Sequence, residues 1–287
     1  MQRIIFTNAR GQSVELKSSA PFLLQSVDGL GDVDADIQMQ KAPFQDGSTY
    51  IDSVLQERAI SIEIAILTRD TTTLLQQRQY LASVFNPKLG PGKLRYENGE
   101  TIREIEAVPD GVPVFPSGRE NRGPIFQKAM VNLLCPEPFW LDEFSTSEKM
   151  SYILGGLSFP LRLGTKFAQR GFKKVLHNKG DVSTPVTIEF YGPATNPVVW
   201  NRTTGEFVRV NRSLGEQDKL VISTEFGNKS VVVENADGTT TNVFNWIDLE
   251  SSFWQLVPGE NLIEFGSDSD STKSRVVISY KNRYLSV

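Results

Sequence analysis

Among 287 residues there is one cysteine, Cys135, and one histidine, His177. They are the chain's only thiol nucleophile and its only imidazole base. A thiol becomes nucleophilic when a neighbouring base or positive environment takes its proton. Pro136 follows Cys135 directly and biases it toward an extended backbone, so Cys135 does not open a helix whose N-terminus would lower its pKa. His177 sits in Val175-Leu176-His177-Asn178-Lys179-Gly180, the pattern of a strand end. Cys135 is expected to be a small buried residue that closes a strand. One Cys and one His also supply no zinc set.

Other residue groups imitate chemistry and then depart from it. Asp32-Val33-Asp34-Ala35-Asp36 copies the first ligands of a calcium loop. Its sixth position is Ile37 where a sharp turn needs Gly, and its twelfth is Pro43 where a bidentate Glu belongs. A solvated acidic segment is expected. Asp268 and Asp270, in Gly266-Ser267-Asp268-Ser269-Asp270-Ser271, have the look of a polar hairpin tip. Gly90-Pro91-Gly92-Lys93 is followed by Leu94 where a phosphate loop needs Ser or Thr, and Pro87 replaces the first Gly. Carboxylate pairs for sugar hydrolysis are spatial, and with 34 acidic residues the sequence singles out none. The aromatics Phe139, Trp140, Trp200, Trp246, Phe253 and Trp254 fit packing. They also keep a second function open, a carbohydrate-binding module in which Trp140, Trp200, Trp246 or Trp254 stacks on host cell-wall sugars.

The totals narrow the classes. A formal net charge of −4 gives no electrostatic reason for nucleic-acid binding, which depends on Lys and Arg replacing counterions. A single Cys forms no internal disulfide. The opening Met1 to Leu16 turns polar after Phe6, unlike a signal peptide, and no apolar run is long enough to span a membrane. The expectation is a soluble, non-enzymatic protein made in a cytoplasm, with no cofactor.

What must position these residues is mainly β, with an α+β first part. Met1 to Phe6 and Ser13 to Lys17 flank the turn signal Asn8-Ala9-Arg10-Gly11. Ile60, Ile62, Ile64 and Ile66 alternate within the strand Ala59 to Leu67. Asp70 or Thr71 can cap the helix that follows. Leu74, Leu75, Leu81, Val84 and Phe85 recur along it, and Asn86-Pro87 with Gly90-Pro91-Gly92 ends it. A hairpin around Asn98-Gly99 and a strand from Ile125 to Leu134 complete an antiparallel sheet with one helix on its face. Between them, Pro109 to Pro124 is Pro- and Gly-rich and reads as a long exposed loop.

Beyond residue 143 the pattern is all-β. Pro185 to Tyr191, Glu206 to Asn211, Lys219 to Ser223, Ser230 to Glu234, Asn261 to Phe265 and Arg275 to Lys281 are short strands. Turn signals such as Thr204-Gly205, Asp237-Gly238 and Pro258-Gly259 separate them, as in a β-sandwich. The composition shift places two domains at residues 1–142 and 143–287.

Several phrases occur together in order: Ala42-Pro43-Phe44-Gln45-Asp46-Gly47-Ser48-Thr49-Tyr50, Glu57-Arg58-Ala59-Ile60-Ser61-Ile62, Phe85-Asn86-Pro87-Lys88-Leu89-Gly90-Pro91-Gly92, Leu134-Cys135-Pro136-Glu137-Pro138-Phe139-Trp140, Asn178-Lys179-Gly180-Asp181, Val257-Pro258-Gly259-Glu260-Asn261 and Tyr280-Lys281-Asn282-Arg283-Tyr284-Leu285. Together they resemble the distal tail proteins of long, non-contractile-tailed bacteriophages (siphophages) of Gram-positive hosts. The resemblance implies an N-terminal belt domain that forms a hexameric ring at the virion tail tip, and a galectin-like β-sandwich after it. It implies assembly in the host cytoplasm, and partners in the major tail tube protein and the tail-associated fibre or lysin protein. Relatives with a long arm in the second domain grip a receptor-binding protein, and no arm insertion stands out here. The family brings no catalytic residues. A closed ring needs one fixed pair of unlike patches. Two segments are expected to supply ring or partner contacts: Gly29 to Pro43, with Asp32, Asp34 and Asp36, and Pro109 to Pro124, with Val112, Phe115, Arg119 and Arg122. Pro136 and Pro138 are expected to stiffen the passage between domains, and Phe139 with Trp140 to anchor the second.

Overall fold

The computed structural model describes residues 2–151, 173–235, 237–268 and 273–287. The chain divides into two compact units, Met1–Glu143 with Tyr284–Val287, and Phe144–Arg283. Asp270 lies outside the described residues. No helix among them is long and apolar enough to cross a membrane.

The first unit runs β1 (Arg3–Thr7), β2 (Ser13–Leu16), β3 (Phe22–Asp28), β4 (Ala35–Gln40), β5 (Thr49–Leu55), β6 (Arg58–Leu67), α1 (Thr71–Val84), β7 (Gly92–Asn98), β8 (Thr101–Pro109), β9 (Phe126–Cys135) and β10 (Trp140–Asp142). Seven strands of a nine-stranded antiparallel sheet follow the order β2-β1-β7-β8-β9-β6-β3, and β10 pairs with β8 off this path. A parallel bridge between Lys17 and Leu23 brings its two end strands together. Strand alternation builds the core: Ile4 and Phe6 from β1, Ile60, Ile62, Ile64 and Ile66 from β6, and Val131 and Leu133 from β9 all point inward. Asp70 is the residue that caps α1, accepting from Thr73 N at 2.8 Å. Leu74, Leu81 and Val84 are buried beneath the helix, and Phe85 stacks on Phe6 at 4.6 Å. Leu75, expected on the same stripe, points outward. It lies one residue, or about 100° of helix, past Leu74.

Two expectations need correction. Gly29 to Pro43 is not a plain loop, because Ala35–Gln40 is a strand. Trp140 does not anchor the second unit. It is fully buried in the first core, tilted against Tyr96 at 6.2 Å, with its indole N–H donated to Leu30 O at 3.0 Å. A large aromatic is fixed by the core that encloses it and satisfies its donor. Phe139 beside it is half-buried, Pro136 is exposed and Pro138 is buried.

The second unit contains β11 (Thr146–Ser151), β12 (Lys173–Asn178), β13 (Thr187–Tyr191), β14 (Ala194–Thr195), β15 (Val198–Asn201), β16 (Glu206–Arg209), β17 (Ser213–Leu214), β18 (Lys219–Ser223), β19 (Ser230–Glu234), β20 (Thr240–Asn242), β21 (Gly259–Gly266) and β22 (Arg275–Tyr280). It is a β-sandwich. One sheet has the order β11-β22-β13-β18-β19-β20 and the other β12-β21-β15-β16. Ile188, Phe190 and Ile278 from the first and Val199, Ile263 and Phe265 from the second share one core with Trp254.

Candidate functional site

The residues that imitated catalysis are structural. Cys135 is fully buried, and desolvation pushes its thiol up to about 12 despite the nearby Arg58 cation. A thiol that keeps its proton at neutral pH is no nucleophile. His177 is exposed on β12 of the second unit. Among the described residues no cluster of His, Cys, Asp and Glu could hold a metal ion. Gly92 is required by packing: a Cβ there would meet Thr7 O at 2.6 Å and the Phe6 ring at 2.7 Å. Trp140 and Trp254 are buried and offer no face to a sugar. Arg202 covers the half-buried Trp200 at 4.5 Å, and Arg212 covers Trp246 at 5.0 Å.

The loop 109–124 is less free than its composition suggests. Val114 bridges Met130 of β9, and the Gln127 side chain donates to Pro116 O and Asn121 O. Phe115 packs partly against the first core beneath Arg78, 4.6 Å from its ring. Val112, Arg119 and Arg122 remain exposed.

The feature that packing within the chain does not explain is the β4–β5 hairpin. Its strands pair with each other and, among the described residues, with no other strand. Opposed residues share a face. Ala35 faces Leu55, Ile37 faces Ser53 and Met39 faces Tyr50, whereas Asp36 faces Val54, Gln38 faces Asp52 and Gln40 faces Thr49. One face is therefore mostly apolar and the other polar and acidic, with the register shifting between Gln38 and Met39. Every residue of β4 is exposed, including Ile37 at 55% and Met39 at 60%. At the turn Phe44 stands fully in solvent with φ of 64°, a left-handed conformation that few non-glycine residues adopt. Ile51 and Val54 are exposed as well. Two strands alone are at best marginally stable in water, and a contiguous exposed apolar patch marks an interaction site.

The hairpin's root, by contrast, is fastened. Gln56 N donates to Asp34 O at 2.8 Å. Gly29, with φ of 90°, lies so close to β6 that a Cβ would meet Ala59 O at 2.0 Å. Arg58, the first residue of β6, is fully buried. Its Nε donates to Pro138 O at 2.8 Å, its Nη1 to Gly29 O at 2.9 Å and Asp32 O at 3.1 Å, and its Nη2 to Leu285 O at 2.6 Å. Burial pulls the guanidinium pKa down, opposed by the nearby Asp32 carboxylate. Of the acids singled out from sequence, Asp32 and Asp34 thus belong to the root through their carbonyls and Asp36 to the polar face of β4. The contact residues expected from sequence did not include Ile37, Met39, Tyr50 and Ile51, although Ala35-Asp36-Ile37-Gln38-Met39-Gln40 alternates strictly.

Comparison with known proteins adds the following. A family model described as phage tail protein RIFT-related domain matches residues 9–135. A second, described as siphovirus-type tail component, C-terminal domain, matches residues 179–284. Among solved structures the chain resembles the SPP1 Dit (gp 19.1) protein, described as a paradigm of the hub adsorption apparatus in Gram-positive infecting phages. The TM-score is 0.70 at 14% identity, over 99% of both chains. It also resembles a chain of the phage P2 baseplate in its activated conformation with Ca, with a TM-score of 0.53 at 12% identity over 100% of this chain and 99% of that one. No curated protein matches the chain.

Proposed function

Since the chain belongs to the siphophage distal tail proteins and is a structural component of a tail-tip hub, we propose that six copies close into a ring through the β4–β5 hairpin. The ring would join the tail tube protein to the tail-associated fibre or lysin protein in the virion, after assembly in the host cytoplasm. The observation that carries this reading is the exposed, two-faced hairpin. Burying the exposed half of Ile37 and of Met39 against a neighbouring copy would contribute about 1–2 kcal/mol each. The unpaired edges of β4 and β5 offer backbone donors and acceptors to another chain's strand. A head-to-tail contact of this kind closes when its rotation divides a full turn.

Light scattering and negative-stain electron microscopy of the purified protein test this. The expected result is ring-shaped particles with about six times the 32.0 kDa chain mass, and their loss in an Ile37→Asp, Met39→Asp variant whose circular dichroism is unchanged. A wild-type protein that stays monomeric even when mixed with its tube protein would overturn the proposal.

A further inference from the structure

Arg58 is a buried cation that donates four hydrogen bonds to backbone carbonyls. The segments that supply those carbonyls are far apart in sequence. Gly29 and Asp32 lie just before β4, so they are the incoming root of the hairpin. Arg58 itself follows β5, so it is the outgoing root. Pro138 lies on the passage that leaves the first unit after Glu143. Leu285 lies on the segment Tyr284–Val287, where the chain has returned to that unit. Four of the five guanidinium N–H groups are thereby used in a planar fork. Neighbours hold the same segments independently: Trp140 bonds to Leu30 O, Arg103 lies 3.8 Å over the Tyr284 ring, and Val287 packs against the first core.

We propose that Leu285–Val287 is a latch that sets the root of the β4–β5 hairpin through Arg58. The physics is one of shared donors. A buried guanidinium that loses one acceptor is left with an unsatisfied charged N–H, so it shifts to recover a partner or admits water. Either response loosens its hold on Gly29 and Asp32, since Nη1 and Nη2 belong to one rigid plane. Among the described residues the hairpin's strands pair with no other strand that could hold their direction. The direction in which the apolar face of Ile37 and Met39 points is thus tied to whether the returning segment is seated. The functional meaning of the latch rests on the ring reading above, but its physical content does not.

Hydrogen exchange followed by mass spectrometry tests it on dilute full-length protein, a protein lacking Leu285–Val287, an Arg58→Met variant and the two changes combined. Removing the segment is expected to speed exchange about tenfold or more in peptides covering residues 29–34 and 56–58, a local opening, with β7 and β8 unchanged. Removing it from the Arg58→Met variant is expected to add nothing at the root, because the two changes break one connection. Unchanged root exchange in the shortened protein would overturn the latch. So would faster exchange spread evenly through β7 and β8, or additive effects in the combined variant. Light scattering of the same samples reports separately on ring closure, so a protein that fails to assemble but shows the coupled root exchange counts against the ring and not against the latch.

Discussion

Cys135 and Arg58 stand side by side in the first core and illustrate what single residues disclose. The sequence already argued that Cys135 is inert, from Pro136 and the absence of a nearby base. The structure supplies the cause, a buried thiol pushed up to about 12. Iodoacetamide at pH 8 should therefore leave the native protein unlabelled and modify Cys135 once denaturant is added; rapid labelling of the folded protein would refute the burial. Arg58 was not legible. Nothing in Glu57-Arg58-Ala59 distinguishes a guanidinium on the surface from one that gathers carbonyls of Gly29, Asp32, Pro138 and Leu285. Those partners are set by tertiary proximity, and carbonyls leave no mark in a sequence. Trp140 shows the opposite error: its bulk was recognised, but the core that encloses it depends on β10 and was assigned to the wrong side.

At the scale of elements, strands with one buried face were readable. Ile60 to Ile66 in β6 and Val186 to Phe190 around β13 alternate because one side meets a core. The Asp70 cap was readable for a similar reason, since a carboxylate before an apolar-periodic run fits few other roles. Hydrogen bonds from the Thr73 backbone and then from its hydroxyl hold the Asp70 carboxyl below its ordinary value of 3.8. A carboxyl whose folded pKa is depressed contributes stability above its unfolded pKa and loses it as pH falls through the folded one. The melting-temperature difference between wild type and Asp70→Ala should therefore be full at pH 7 and shrink below about pH 4, as followed by circular dichroism. The β4–β5 hairpin escaped because both sides of its alternation are exposed. Five aspartates against one lysine between residues 32 and 55 gave it the appearance of a solvated acidic segment.

At the scale of the whole molecule, the change from α+β to all-β patterning was visible, while the return of Tyr284–Val287 to the first unit was not. Four residues carry too little periodicity to announce where they dock. Each unit has a core of its own, so calorimetry should show two unfolding transitions. Trp140→Ala should lower the transition of the first unit, with a cost of about 3–5 kcal/mol for emptying a large buried aromatic site. A shift in the other transition alone would mean that Trp140 packs elsewhere.

The discontinuity of the first unit has a consequence for synthesis. Ribosomes make chains from the N-terminus at about 5–20 residues per second, and Leu285 emerges only after the entire sandwich. Until then Arg58 lacks the acceptor that Leu285 O offers its Nη2. On the proposed latch, copies whose translation stalls inside the sandwich would keep a loosely rooted hairpin and so be passed over as finished copies assemble.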